Sequence, residues 1–444
     1  MIFNFIRYLN PTWYYNLKPQ EDHNYFLNKD VLNIENADFL PDRNYKSKIA
    51  SQRDLAWRMF QEGWIGVHNG EAINIWDNKK IPVEDEYRFI RKYFGSYWSW
   101  YVLFLRIVTF KNPIIEFRGF IKNFKVTPYL YDFTSSKNII EEVGKLKLTS
   151  HPFVSIIIPT LNRYKLLKDV IYDLENQSYP NFEVIIIDQT EPFNEDFYKG
   201  LSAKFIVEKQ KEKALWLARN TAIKMAKGEL ILLYDDDSRV NSDWIEQHLR
   251  CLVYFNADIS SGVSISKVGG RITENYRIFK WSEQLDTGNV MVRKEVFKKI
   301  GLFDRQFEKQ RMGDGEFGLR AYLAGFKNIN NPLAERLHLK AEEGGLRQMG
   351  SWDEFRPKKL FAPRPIPSVL YLYRKYFGRR IAIQGLLMGL PKSIVPYRFK
   401  GNKKKLIFGY IFSIFLSPFL FIVASLSWHR SSKMLNEGAK IEKI

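Results

Sequence analysis

Three continuous apolar runs, each ending in polar residues, set the narrowest limits on how this chain can fold. FVSIIIP (153–159) runs into Thr160-Leu161-Asn162-Arg163, FEVIIID (182–188) ends at Asp188 before Gln189-Thr190, and ELILLYDDD (229–237) ends in Asp235, Asp236 and Asp237. AKFIVEK (203–209) is a further short run. Runs of this length without polar alternation read as strands buried on both faces. The intervening LKDVIYDLENQ and ALWLARNTAIKMAKG carry helical spacing, the second with Gly228 where a C-cap is expected. Strands alternating with helices imply a mostly parallel α/β sheet with helices on both faces. Ligands of such sheets bind beyond the carboxyl ends of the strands. The three polar clusters therefore converge on one edge.

The aspartate triplet carries the sharpest chemistry. Two unit charges about 5 Å apart repel by roughly 3 kcal/mol at an effective dielectric near 20. A divalent cation reverses that repulsion, and strand-end carboxylates are natural oxygen ligands for Mg2+ or Mn2+. The other reading is a helix cap, with Asp237 or Ser238 preceding a helical stretch at 241–250. No GxxxxGK[ST] occurs, so P-loop chemistry is not expected.

VSIIIPTLNR, FEVIIIDQT and LARNTAIKMAKGELILLYDDDS, followed by DTGNVMVRKEVFKKIGLFDRQF (286–307), GDGEFGLRAYLAGF (313–326) and LHLKAEEGGLR (337–347), resemble the family 2 glycosyltransferases. The resemblance implies the GT-A fold over about 153–347, with an inverting, metal-dependent transfer from a nucleotide sugar. It puts Thr160, Asn162 and Arg163 near the nucleotide, Asp188 at the base, and Arg219 and Asn220 at nucleotide or phosphate. Asp235 and Asp237 become the ends of the DxD motif on ribose and metal, with Asp236 between them. Gly288 and Asn289 fall where donor sugar meets acceptor. His338 is either a third metal ligand or a satisfied core histidine. Asp314 is the expected catalytic base, with Glu316 in reserve; a helix cap is the other reading of Asp314. The family pattern has Glu-Asp where this chain has Gly313-Asp314. Surface solvation is the plain reading of Arg163 and Arg219 taken alone. Glu342 to Gly345 look like a segment able to close over the diphosphate. A processive QxxRW match is missing around Gln348 and Trp352, so one sugar per encounter is expected.

The flanks bear on location. Of the net charge of +19, much lies between Arg356 and Lys405, with 14 Lys/Arg and no Asp/Glu. The next 23 residues, 406–428, carry no charge, although Pro418 interrupts them. Basic residues before such a segment favour anionic lipid at the cytoplasmic face of a membrane over nucleic acid. The segment is read as transmembrane or re-entrant. The start, MIFNFIRYLNPTWYYNLK, has no long apolar core, so no signal peptide is expected there. The single Cys251 excludes an intramolecular disulfide.

Five regions follow: an N-terminal α+β accessory region (1–150) with a strand–turn–strand at 65–76, an apolar helix at 96–110 and a polar connector at 135–150; the GT-A domain (151–347); a basic membrane-surface helical region (348–405); the apolar segment (406–428); and a polar tail (429–444). The expected function is transfer of a sugar from a UDP- or dTDP-sugar to a hydroxyl of a lipid-linked or growing cell-surface glycan at the inner membrane. An inactive scaffold of the same fold and a nucleotidyltransferase are the alternatives.

Overall fold

A computed structural model of the chain describes all residues except 22, 24, 28–39, 66–72, 77–78, 267–271, 284, 341–354, 356–358, 397–398 and 400–401. The apolar runs form the centre of a nine-stranded sheet. In chain order, the first half holds β1 (Val154–Thr160), α7 (Tyr164–Glu175), β2 (Phe182–Asp188), β3 (Phe205–Lys209), α8 (Leu215–Met225) and β4 (Leu230–Tyr234). The second half holds β5 (Ser238–Val240), α9 (Trp244–Tyr254), β6 (Ile259–Ser266), β7 (Lys280–Trp281), β8 (Asn289–Arg293), α10 (Lys294–Ile300), α11 (Gly313–Leu323) and β9 (Asn328–His338). The sheet order is β3-β2-β1-β4-β8-β6-β9-β5, with β7 also on β9.

Strands β1 to β4 are parallel, and Thr160 lies beside Asp188 in the register. Every residue of β1, β2 and β4 is buried. Each fully buried Ile or Leu there stabilises the fold by about 1.5–3 kcal/mol relative to exposure. Strand β8 joins antiparallel to β4 and brings Asn289 opposite Tyr234. This antiparallel insertion is what makes the sheet mixed. Gly228 is no helix cap: α8 ends at Met225, and a Cβ at 228 would lie 2.7 Å from the Phe153 carbonyl oxygen. The glycine lets the chain enter β4 against β1.

The regular elements described in the N-terminal region are mainly helices, and the Ile73 N–H donates to the Phe26 carbonyl (2.9 Å) beside a β-bridge at Leu27. The region holds α1 (Ile6–Leu9), α2 (Lys48–Gln61), α3 (Val83–Phe94), α4 (Ser96–Val108), α5 (Pro113–Lys122) and α6 (Thr134–Lys145). Residues 66–72 of the expected strand–turn–strand lie outside the described residues. The supposed connector at 135–150 is mostly α6, whose Val143 is fully buried. Aromatic side chains in this region build a core continuous with one face of the sheet.

Residues 14–20 reach over to α11. The Gln20 N–H donates to the Leu323 carbonyl (2.9 Å) and the Tyr322 hydroxyl donates to the Leu17 carbonyl (2.8 Å). The Tyr14 hydroxyl donates to the Gly315 carbonyl.

Beyond β9 come α12 (Pro367–Tyr376), α13 (Gly378–Gly389), α14 (Lys403–Phe415) and α15 (Ser417–Glu437). Helix α12 buries Val369, Leu370, Tyr371 and Leu372 beneath the sheet domain, so it is part of the body and not a surface layer. The apolar segment is two helices bent by 87° around Leu416, and among the described residues no single helix is long and apolar enough to cross a membrane. The tail is docked as well. The Leu302 N–H donates to the Glu442 carbonyl (2.8 Å), and the Lys440 N–H donates to Asp304 Oδ1 (2.9 Å).

Candidate functional site

The strand-end triplet is held by arginines. After β4 the chain turns sharply, and β5 pairs antiparallel with β9 so that Ser238 faces His338. That pairing brings the imidazole to Asp237, with Nε2 3.3 Å from Oδ1. The Leu339 N–H also donates to the Asp237 carbonyl (2.9 Å), which locks the register.

Asp235 is gripped from two sides. Arg219 donates to its Oδ1 (2.8 Å), and Arg336 donates to its Oδ2 (2.9 Å). Arg163 donates to Asp236 Oδ1 (2.8 Å) and lies 3.1 Å from Asp237 Oδ2. Surface solvation is thus wrong for both Arg163 and Arg219. The second is also tied to the Thr287 carbonyl (3.1 Å) and is almost wholly buried.

Ligand atoms of Asp235, Asp237 and His338 lie within 4.8 Å of one another. Two carboxylates and an imidazole at that spacing suit a divalent cation. The helix-cap reading fails: Asp243, not Asp237 or Ser238, precedes α9, and Asp237 is turned toward His338.

Arg336 was not singled out from the sequence. It pairs with two carboxylates, Asp235 Oδ2 (2.9 Å) and Asp286 Oδ2 (2.7 Å). Ser264 accepts from its Nε (2.9 Å). Burial works against its charge, but Asp286 and Asp235 outweigh burial and hold the guanidinium protonated. A signal was present. Ala334, Arg336 and His338 alternate with exposed Glu335 and Leu337, so the period of two puts Arg336 on the same face as His338. Gly288 makes room for this pair, since a side chain there would run into Arg336 and Asp235.

Several expected ligand contacts are spent inside the protein. Asn220 clasps the Phe303 peptide, donating to its carbonyl and accepting from its N–H, both at 3.0 Å. Asn289 uses its whole amide. It accepts from Trp244 (2.8 Å) and lies 3.1 Å from His248 Nε2, and it donates to the Val263 and Ala334 carbonyls (3.0 and 2.9 Å). Both residues brace the sheet through these bonds. Asp236 points inward, where Thr160 donates to its Oδ2 (2.8 Å). Burial pushes its carboxyl up to about 6 against the pull of Arg163. It therefore ties the end of β1 to Arg163. Asp188 is buried beneath Tyr164 and Tyr198, whose hydroxyls both donate to Oδ2 at 2.8 Å. Asn162 has a left-handed backbone (φ 54°) and donates its N–H to Thr190 (2.8 Å), so it shapes the turn after β1.

A cavity of about 670 Å³ opens beside His338, lined also by Asp314, Arg336, Asp286, Glu283 and Tyr14. Asp314 stands in the first turn of α11, where the helix dipole favours an ionised carboxylate. Glu316 is no substitute. It is fully buried and accepts from Arg320 (2.9 Å), Lys375 (3.3 Å) and Tyr376. Burial raises its carboxyl, but Arg320 and Lys375 more than reverse this and hold it below 4.5. Glu316→Gln is expected to cost about 3 kcal/mol in urea unfolding at pH 7, because it strands two cations. A depressed carboxylate gives its stability above its ordinary pKa and loses it as pH falls through the folded value. The gap between wild type and variant is thus full above pH 4.5 and narrows below it.

Gly313 has a local cause. A side chain there would meet the Trp216 ring, which is anchored through Nε1 to the Phe307 carbonyl (3.0 Å). With Trp216 in this place, there is no room for the glutamate of the Glu-Asp pattern. Glu342 to Gly345, Gln348 and Trp352 lie outside the described residues.

Residues 155–316 match the model of glycosyl transferase family 2. Chondroitin synthase of Pasteurella multocida is 25% identical over 314 residues, covering 58% of this chain and 32% of its own length. Glycosyltransferase AglE of Haloferax volcanii is 26% identical over 196 residues, covering 39% and 63%. The amylovoran biosynthesis glycosyltransferase AmsB of Erwinia amylovora is 26% identical over 280 residues, covering 56% and 91%. The chain thus spans about a third of the first relative's length and under two-thirds of the second's. Among solved structures, Staphylococcus aureus TarS 1-349 with UDP-GlcNAc matches at 20% identity, covering 53% of this chain and 66% of that chain. Its TM-score of 0.39 is too low for the superposition to bear on the site. Asp235, Asp237 and Asp314 all lie within the segment 155–316, the part of this chain that is similar to glycosyl transferase family 2.

Proposed function

We propose that the protein is a membrane-associated inverting glycosyltransferase. It moves one sugar per encounter from a UDP- or dTDP-sugar to a hydroxyl of a lipid-linked or growing cell-surface glycan. The observation that carries this reading is one cavity lined both by Asp314 and by His338, whose imidazole belongs to the Asp235–Asp237–His338 cluster. Asp235, Asp237 and His338 would hold Mg2+ or Mn2+, the imidazole tilting the set toward Mn2+, and the ion would neutralise the departing diphosphate. Asp314 takes the proton from the acceptor hydroxyl as that oxygen attacks the anomeric carbon. Arg163 and Arg219 keep the aspartates ionised and aligned. Inversion follows from a single displacement with one base. The lack of Asp and Glu from 359 to 436 supports a site at the cytoplasmic face of the inner membrane.

A panel of nucleotide sugars offered to the purified chain tests this. One donor should release its nucleoside diphosphate, EDTA should stop the release, and Mn2+ should restore it. Pyrophosphate as product would point to a nucleotidyltransferase. Failure of every donor, with diphosphate bound normally, would favour the scaffold reading.

A further inference from the structure

Most of the large apolar side chains exposed among the described residues fall in two stretches far apart in sequence, 97–130 and 383–426. In α4, Tyr97, Trp100, Phe104 and Val108 are all about half exposed or more, and their spacing places them on one helical face. In α5, Ile114, Phe117, Ile121 and then Phe124 just beyond it repeat the pattern, with Ile114 78% and Ile121 67% exposed. The two faces meet where Trp100 packs on Phe120 (4.4 Å between ring centroids), which in turn contacts Phe124 (6.0 Å). In the same first turns of α4, Tyr97 and Tyr101 stand near enough to Tyr410 on α14 to interact with it electrostatically. Helix α14 exposes Ile407, Phe408, Ile411, Phe412, Ile414 and Phe415. The bridge through α13 is a hydrogen bond from Gln384 Nε2 to the Arg7 carbonyl (2.8 Å), beside α1 and α4.

The charges around this surface are mostly basic, with Glu84 of α3 paired to Lys122. Lys111, Arg118 and Lys125 are exposed beside the α4–α5 face. The only acid between 96 and 131 is Glu116, which is buried and paired with Arg106 and Tyr87. From 359 to 436 the chain has no Asp or Glu. We propose that α4 and α5 form, with α14 and the first turns of α15, one face that beds into an anionic lipid surface. This rests on the membrane association proposed above and gives the N-terminal region a role in it. With 13 and 10 residues, α4 and α5 are too short to cross a bilayer. They match helices that lie in the interface, with rings and aliphatic chains among the acyl groups and cations at the headgroups. The 87° bend lets α14 lie in the same layer while the end of α15 stays on the domain, where Met434 joins the core.

Flotation of the full chain with phosphatidylcholine vesicles, with and without phosphatidylglycerol, tests this. The wild type should float with the anionic vesicles. Ile114→Glu with Ile121→Glu, and Phe408→Glu with Phe412→Glu, should each weaken binding by about tenfold or more. Because Cys251 is buried, an environment-sensitive dye can be placed at Ile121→Cys alone. Its emission should shift to the blue with anionic vesicles, and the same dye at Lys199→Cys should not respond. If the α14 pair releases the protein while the α5 pair floats normally and the Ile121→Cys dye stays unshifted, the proposal fails and membrane association stands. If the wild type does not float, both fall. If the α5 pair turns a dimer into a monomer and the dye ignores vesicles, the face is a self-association surface and the proposal is overturned.

Discussion

Replacing Asp314 by asparagine is expected to slow sugar transfer by about 10²–10⁴-fold while the nucleotide binds as before. The side chain keeps its shape, and its Oδ1 can still accept from the Gly315 N–H, at 2.8 Å in the wild type. What is lost is the lone pair that takes the acceptor proton. No neighbour on α11 can stand in, because Glu316 is committed to Arg320 and Lys375. Glu283 lines the same cavity and is the alternative base. Steady-state rates for Asp314→Asn and Glu283→Gln, with nucleotide affinity measured in parallel, decide between them. A large loss in the first and a small one in the second is the expected pattern. The reverse would move the base to Glu283.

The second large effect concerns stability. Arg336→Met should cost about 3–5 kcal/mol, read as a lower urea midpoint at neutral pH. The guanidinium is buried between Asp235 and Asp286, and each carboxylate disfavours the ionised form of the other. Without Arg336 the two acids face each other with one compensating cation, Arg219, on Asp235. Arg336→Lys should recover part of the loss only, since an ammonium cannot span both carboxylates as the planar fork does. A midpoint unchanged in Arg336→Met would mean that the triplet is solvated well enough to need no buried partner.

The central sheet was legible because its strands are uninterrupted apolar runs. The 182–188 run coincides with β2, and the polar clusters meet at one edge because the strands are parallel. His338 was legible as a possible ligand, and the β5–β9 register brings it to Asp237. Polar residues near strand ends were harder to read, since a side chain one position along can turn inward. Asn220 and Asn289 did so, each saturated by backbone or buried partners that only the tertiary fold reveals. Arg336 was missed because an arginine in the largely polar run NINNPLAERLH resembles a surface residue until its carboxylate partners are known. In the N-terminal region the apolar helix at 96–110 was legible and is α4, whereas α6 was hidden because its polar sequence reads as a connector. The break at 416–417 was foreshadowed by Pro418, which sits in the first turn of α15, where its missing N–H costs nothing.

Binding of UDP to the purified chain by calorimetry, with Mn2+ and then with EDTA, tests the site most directly. The wild type should bind UDP tightly with Mn2+ and far more weakly with EDTA, and His338→Ala should lose most of the Mn2+ effect. Equal UDP affinity in Mn2+ and EDTA would contradict a cation held by Asp235, Asp237 and His338.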